Sequence, residues 1–227
     1  VKFPGKWGSF KTGEVARQVM VLKTGSEIEW MAESARILVE VMRGVEQQIV
    51  PGAIPYEVDR WAENAIRSKG GIPAFKGYRG YPATLCISLN ENVVHGIPNK
   101  TPLREGDICS IDVGLLYKEF FSDMARTYPV GKIPKQASDL IRVAEESLKA
   151  GIEQFQEGNR LFDISYAIQI HAEEHGFQVV RDFVGHGIGR NLHEDPQVPN
   201  FGKPGTGPRL CKGLALAIEP MLNAGTH

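Results

Sequence analysis

Asp112 and Asp123 lie in two apolar runs, residues 108–114 and 120–126, that read as the arms of a β-hairpin. With the reversal centred on Tyr117-Lys118, the two carboxylates stand directly opposite one another on one face, Cβ atoms about 4.5–5.5 Å apart. Facing like charges in apolar strands destabilise a sheet, so the pair must share a proton or hold a cation. Either aspartate alone reads as a structural residue satisfied by backbone or by Arg126; the opposition of the two favours a cation. Hard oxygen donors suit Mg, Mn, Fe or Co, and bridging carboxylates suit two ions about 3.5–4 Å apart.

Three further groups have the chemistry to join them. His186 sits in Val184-Gly185-His186-Gly187-Ile188-Gly189, where the flanking glycines let the backbone pass close to whatever the imidazole binds. No Walker-type phosphate loop is present, and Asn191 and two prolines follow rather than a helix. His193 lies seven residues on, in a segment that by itself reads as solvated loop. Glu219 ends an unbroken apolar strand and precedes Pro220, which cannot extend a ladder; a carboxylate there faces solvent or points into a site. A second cluster, His171-Ala172-Glu173-Glu174-His175, matches H-x-x-E-H, a zinc-protease pattern. Its place in a last helical turn before Gly176 reads as a solvated helix end, where histidines complement the dipole.

The elements that must position these groups are legible from periodicity. Thr24 and Glu27 form a capping box ahead of Ile28, Met31, Ala35, Leu38, Met42 and Val45, a long amphipathic helix broken by Pro51-Gly52. A second helix starts near Pro55, carries Val58, Trp61, Ala62, Ala65 and Ile66, and stops at Gly70-Gly71. After a loop with Phe75, Tyr78 and Tyr81, strands at 85–89 and 93–97 flank Asn90-Glu91, which sets Cys86 opposite His95. The aspartate hairpin follows. Beyond Pro134 the order repeats: a helix with Ala137 to Phe155, another with Ile164 to Ala172, then strands at 177–180 and 214–218. Helix, helix, strands occur twice, which predicts an α+β fold of two similar halves sharing one sheet.

Composition sets the outer limits. With 42% hydrophobic and 23% charged residues the chain is of ordinary globular type, and a net charge of −1 argues against binding nucleic acid through global electrostatics. Residues 1–23 form a basic extension, with Lys2, Lys6, Lys11, Arg17 and Lys23 against Glu14, read as a solvated tail. Cys86, Cys109 and Cys211 are odd in number and widely spaced, which fits a reducing compartment rather than a disulfide framework. No apolar run of membrane-spanning length and no secretory signal occur, so a soluble, intracellular protein is expected. A chain that opens on Val1 is expected to have lost or lack upstream residues.

Six stretches, in order, resemble the signature of type I methionine aminopeptidases of the pita-bread metallopeptidase superfamily: 86–98, 106–112, Ser122-Asp123, 185–190, His193-Glu194 and 218–221. The likeness runs from about Leu22 to the last residue. It implies a pita-bread fold, two pseudo-symmetric helix-helix-strand halves sharing a curved, mainly antiparallel sheet, in one catalytic domain over residues 24–227. It implies two divalent metal ions, of Co, Mn, Fe or Zn, held by Asp112, Asp123, His186 and Glu219. Glu219 would also serve as general base for a bridging water that attacks the first peptide bond, with His95 near the scissile amide and His193 at the developing oxyanion. The pocket for methionine would involve Phe75, Tyr78, Tyr81, Cys86, His95, Leu192 and His193. The activity implied is removal of the initiator methionine from nascent polypeptides in the cytoplasm, with ribosome association a further expectation. The sequence has no heptads and no evident sticky strand, so a monomer is expected. The alternatives are a non-catalytic peptide-binding relative and a prolidase-like or Xaa-Pro aminopeptidase. The family pattern also has a further metal-bridging glutamate in a final strand beyond Glu219, and that strand is expected to be missing from these 227 residues.

Overall fold

The computed structural model describes residues 20–226, and the strands in it pair antiparallel throughout. The basic extension read at the N-terminus lies, as far as residue 19, outside the described residues. The chain divides into two compact units, one of residues 22–142 with 188–193 and the other of residues 20–21 with 143–187 and 194–226.

In the first unit α1 (Gly25–Glu46) starts at the capping box read from sequence. The Thr24 amide donates to Glu27 Oε2 at 2.9 Å and the Glu27 amide to Thr24 Oγ1 at 3.3 Å, which satisfies two donors the helix cannot use. Helix α2 (Pro55–Ser68) starts at Pro55, where a missing N–H costs nothing. Strands β1 (Ile72–Pro73), β2 (Leu85–Leu89), β3 (Ile108–Tyr117) and β4 (Phe120–Pro129) form one sheet, followed by the start of α3 (Lys135–Gln154). β4 pairs with β3 along its whole length, so β2 and β1 follow one another along its other edge.

Period-2 alternation in β3 decides where the carboxylates go. Cys109, Ile111, Val113 and Leu115 are fully buried in a core with Leu38, Val41, Met42 and Val45 of α1 and Val58, Ala62 and Ile66 of α2. Ser110, Asp112 and Gly114 therefore face the other side of the sheet, away from the helix layer. A carboxylate there avoids the burial cost it would meet among the leucines.

Two expectations for this unit are corrected. The hairpin reverses at Lys118-Glu119, whose φ values of 47° and 71° make a two-residue turn, and Tyr117 pairs with Phe120. The register moves by two residues, so Asp112 pairs with Ala125 and Asp123 with Gly114. The segment at 93–97 is not a strand, and Cys86 stands opposite Asp112 rather than His95. His95 instead takes a φ of 60°, and the following Gly96 docks on β2, accepting from the Ile87 amide at 2.8 Å.

In the second unit the later turns of α3 pack on α4 (Leu161–Glu174) at Gly151, where a Cβ would lie 2.9 Å from Ile168 Cγ1. Strand β5 (Gln178–Val179) pairs with β9 (Leu222–Asn223). β6 (Val184–Gly187) is the middle strand between β7 (Glu194–Pro199) and β8 (Leu216–Ala217). Leu161, Ile164, Ile168 and Ala172 of α4 form this unit's core with Val179, Val198, Leu210 and Leu214.

Candidate functional site

Within the first unit the shifted register changes the electrostatic problem. Asp112 and Asp123 share a face but are diagonal neighbours, at the roughly 7–8 Å separation of such pairs rather than in direct opposition. The residue across from each is small, Ala125 for Asp112 and Gly114 for Asp123. The two carboxylates are therefore spaced on one face rather than held in contact, a spacing that carboxylates sharing a cation can use. On its other edge Asp112 is bordered by Cys86, whose thiol is pushed well above its ordinary pKa, first by burial and then by the Asp112 charge. Cys86 is thus a neutral, compact wall beside the carboxylate, and no thiolate competes for a cation there.

Gly114 has a second duty. A Cβ on it would meet Phe75 Cε1 at 2.7 Å, so the Phe75 ring lies against the bare backbone opposite Asp123. Phe75, Tyr81, Cys86 and Leu192 are all buried, which fits walls of an apolar recess. Tyr81 is more than a wall: its hydroxyl lies 2.9 Å from both the Leu85 and the Gly96 carbonyl oxygens. It bridges the start of β2 to the loop carrying His95, and burial pushes its ionisation well above the ordinary tyrosine range. Asp59 of α2 fastens the same strand, accepting from the Thr84 and Leu85 amides at 2.9 and 2.7 Å. Burial raises the Asp59 pKa, against the pull of those two amides.

His95 is held at its positive φ by this framework, a backbone state that costs a non-glycine residue about 1–3 kcal/mol and that clusters at functional sites. Desolvation lowers its pKa, so the imidazole is neutral at pH 7. Tyr78 stacks on His193, ring centroids 5.4 Å apart, and its hydroxyl lies 2.9 Å from His193 Nδ1. The resemblance puts both residues in one pocket, but their hydrogen bond, across 115 residues of chain, has no local signal.

In the second unit β6 carries His186, and the reason for its glycines differs from the sequence expectation. A Cβ on Gly185 would lie 2.3 Å from the Ala217 oxygen and one on Gly187 2.3 Å from the Asp195 oxygen. The glycines admit the backbones of the flanking strands β8 and β7, and so clamp the histidine between them. His186 Nδ1–H donates to the Gly187 carbonyl at 2.8 Å, which fixes the tautomer and leaves Nε2 aimed at Glu219 Oε1, 3.1 Å away. A lone pair on nitrogen and a carboxylate oxygen at that distance repel unless a proton or a cation lies between them. An imidazole anchored through Nδ1 with Nε2 against a carboxylate is the arrangement expected of a metal ligand. The donor chemistry in both units, three carboxylates and one oriented imidazole, fits divalent metal.

The model of metallopeptidase family M24 matches residues 29–226. The chain is 51% identical over 209 residues to a methionine aminopeptidase of Clostridium perfringens, covering 92% of this chain and 84% of that one. It is 46% identical over 209 residues to methionine aminopeptidase 1 of Bacillus subtilis, with the same coverage. The crystal structure of methionine aminopeptidase from Rickettsia prowazekii superposes with a TM-score of 0.90 at 37% identity, covering 91% of this chain and 84% of that one.

Proposed function

The chain belongs to metallopeptidase family M24, with its pita-bread α+β fold, and from that premise we propose that it is a methionine aminopeptidase, a hydrolase that removes the N-terminal methionine from polypeptides. The single observation that carries the activity is 51% identity, over nearly the whole chain, to a protein of that name. No comparable likeness supports the peptide-binding or prolidase-like alternatives.

The residues proposed to act are those the sequence picked out. Asp112, Asp123, His186 and Glu219 are the proposed metal donors, for two divalent ions of the Co, Mn, Fe or Zn class. Bound metal supplies Lewis acidity for the scissile carbonyl and lowers the pKa of water. Glu219 is the proposed general base, a role that suits a carboxylate already in contact with an imidazole. His193 is the proposed oxyanion donor: with the Tyr78 hydroxyl donating to Nδ1, its Nε2 carries the proton and points that donor away from the tyrosine. His95, neutral at working pH, accepts or donates a hydrogen bond at the scissile amide without placing a positive charge beside a substrate amine. Phe75, Tyr78, Tyr81, Cys86 and Leu192, with the two histidines, are proposed to enclose the methionine side chain, an unbranched thioether that packs well against aromatic rings.

Because the substrate is the end of a newly made polypeptide, the proposed place of action is the cytoplasm, with ribosome association as a further expectation. Among the described residues no helix is long and apolar enough to cross a membrane. The test is to strip the protein of metal, titrate Mn or Co, and follow methionine release from Met-Ala and Met-Gly peptides beside an Xaa-Pro peptide. Metal-dependent release of methionine supports the reading; affinity without turnover, or cleavage only before proline, overturns it.

A further inference from the structure

The H-x-x-E-H segment, set aside as a solvated helix end, has a partner that its own sequence does not contain. His171, in the last turn of α4, and His175, the residue that caps it, are four residues apart with ring centroids 4.5 Å apart, His171 on the rim of the face that buries Ile168 and Ala172. Antiparallel to them, α3 buries Ser147 and Gly151, and the close approach of Gly151 to Ile168 brings the preceding turn of α3 level with the end of α4. The residue at that level is Glu146, whose Oε2 lies 3.3 Å from His171 Nε2. One ligand atom from each of Glu146, His171 and His175 lies within 4.8 Å of the others. The motif's own glutamate, Glu174, is exposed and outside this group.

From this geometry we infer that Glu146, His171 and His175 form a peripheral site for a divalent transition metal of the zinc or nickel class, which ties α3 to α4. Two imidazoles one turn apart on a helix present their nitrogens to one ion, and imidazole with one carboxylate is a donor set such metals accept. Ligand bonds of about 2.0–2.2 Å place tetrahedral donor atoms about 3.4 Å apart, which these three reach by small rotamer changes at a partly exposed surface. The orientation is already partly set. His175 Nδ1–H donates to the His171 carbonyl at 2.7 Å, which leaves Nε2 as the lone-pair nitrogen, the backbone-anchored form typical of ligating histidines. An open fourth position faces water. The site is independent of the proposed peptidase chemistry, and no residue of that chemistry belongs to it.

The experiment is a zinc titration of the metal-free full chain in competition with a chromogenic chelator, run on the wild type, on H171N/H175N and on E146Q. The wild type is expected to bind one equivalent more than H171N/H175N, and E146Q to hold that equivalent about tenfold more weakly. Equal unfolding temperatures in chelator establish that the variants fold, and H175N alone, at an exposed position, serves if the double variant does not. Zinc is expected to raise the unfolding temperature of the wild type more than that of the double variant, while methionine release with saturating Mn is the same for both. Identical zinc equivalents and affinities in the wild type and the histidine variants overturn the proposal.

Discussion

Gly96→Ala tests whether His95 is held in place by the backbone beneath it. A Cβ on Gly96 would lie 2.1 Å from the Ile87 carbonyl oxygen, 2.8 Å from its carbon and 2.9 Å from Ser88 Cα, all backbone atoms of β2. β2 is locked between this loop and β3, and Ile87 is buried, so the loop rather than the strand must give way. To clear 3.0 Å it must lift by close to an ångström, which breaks or lengthens three hydrogen bonds. These are Ile87 N–H to the Gly96 carbonyl at 2.8 Å, Tyr81 Oη–H to the same carbonyl at 2.9 Å, and Gly96 N–H to Ser88 Oγ at 3.0 Å. At roughly 1 kcal/mol each the loss is about 2–4 kcal/mol, a fall in Tm of roughly 5–15 °C for a chain of this size. Displacement of His95 by an ångström should lower kcat/KM by about a hundredfold. Differential scanning calorimetry and a coupled methionine-release assay read the two effects. Tyr81→Phe, which removes one of the three bonds and adds no clash, should reproduce the direction at smaller size. A G96A protein with unchanged Tm and activity would refute the reasoning.

Three further outcomes follow from neighbouring groups. Asp59→Ala strands the buried Thr84 and Leu85 amides and should cost about 1–3 kcal/mol by urea denaturation, with Asp59→Asn recovering part of it. The His95 imidazole, followed by NMR, should titrate below the ordinary value of about 6.5. Because the fold disfavours its proton, His95 contributes stability that is fully present above that value and is lost as pH falls through the depressed pKa. Gly185→Ala drives a Cβ to 2.3 Å from the Ala217 oxygen and should weaken divalent metal binding along with stability, since β6 carries His186; isothermal titration with Mn reads the metal effect.

The features legible in the sequence were those that local chemistry writes into it. The Thr24–Glu27 capping box, the proline that opens α2 and the apolar stripes of all four helices needed only nearest neighbours along the helix. The hairpin was legible as a hairpin, but its register was not. The reversal uses Lys118-Glu119, residues with no intrinsic liking for positive φ, where Asn-Gly would have announced the turn. Tertiary pairing imposed the two-residue shift, and with it the exchange of opposed aspartates for diagonal ones. The absent strand at 93–97 failed for a related reason: His95 takes a left-handed φ of 60° that interrupts an extended run, so the segment meets the free edge of β2 only at Gly96. The glycines beside His186 are legible in the sequence but their reason is not: they serve the flanking backbones, and the ring's orientation comes from a carbonyl one residue on. Contacts between distant segments, Tyr78 with His193 and Glu146 with His171, left no local trace at all.

The central claim is that Asp123 is a metal donor in a methionine-releasing hydrolase. The decisive measurement is the rate of methionine release from Met-Ala peptide by Asp123→Ala and Asp123→Asn proteins that retain the wild-type circular dichroism, with Mn titrated from zero to saturation. The account predicts a fall of about a thousandfold or more at every metal concentration, with Mn affinity reduced in both variants. Wild-type release and unchanged Mn affinity in either variant would contradict it.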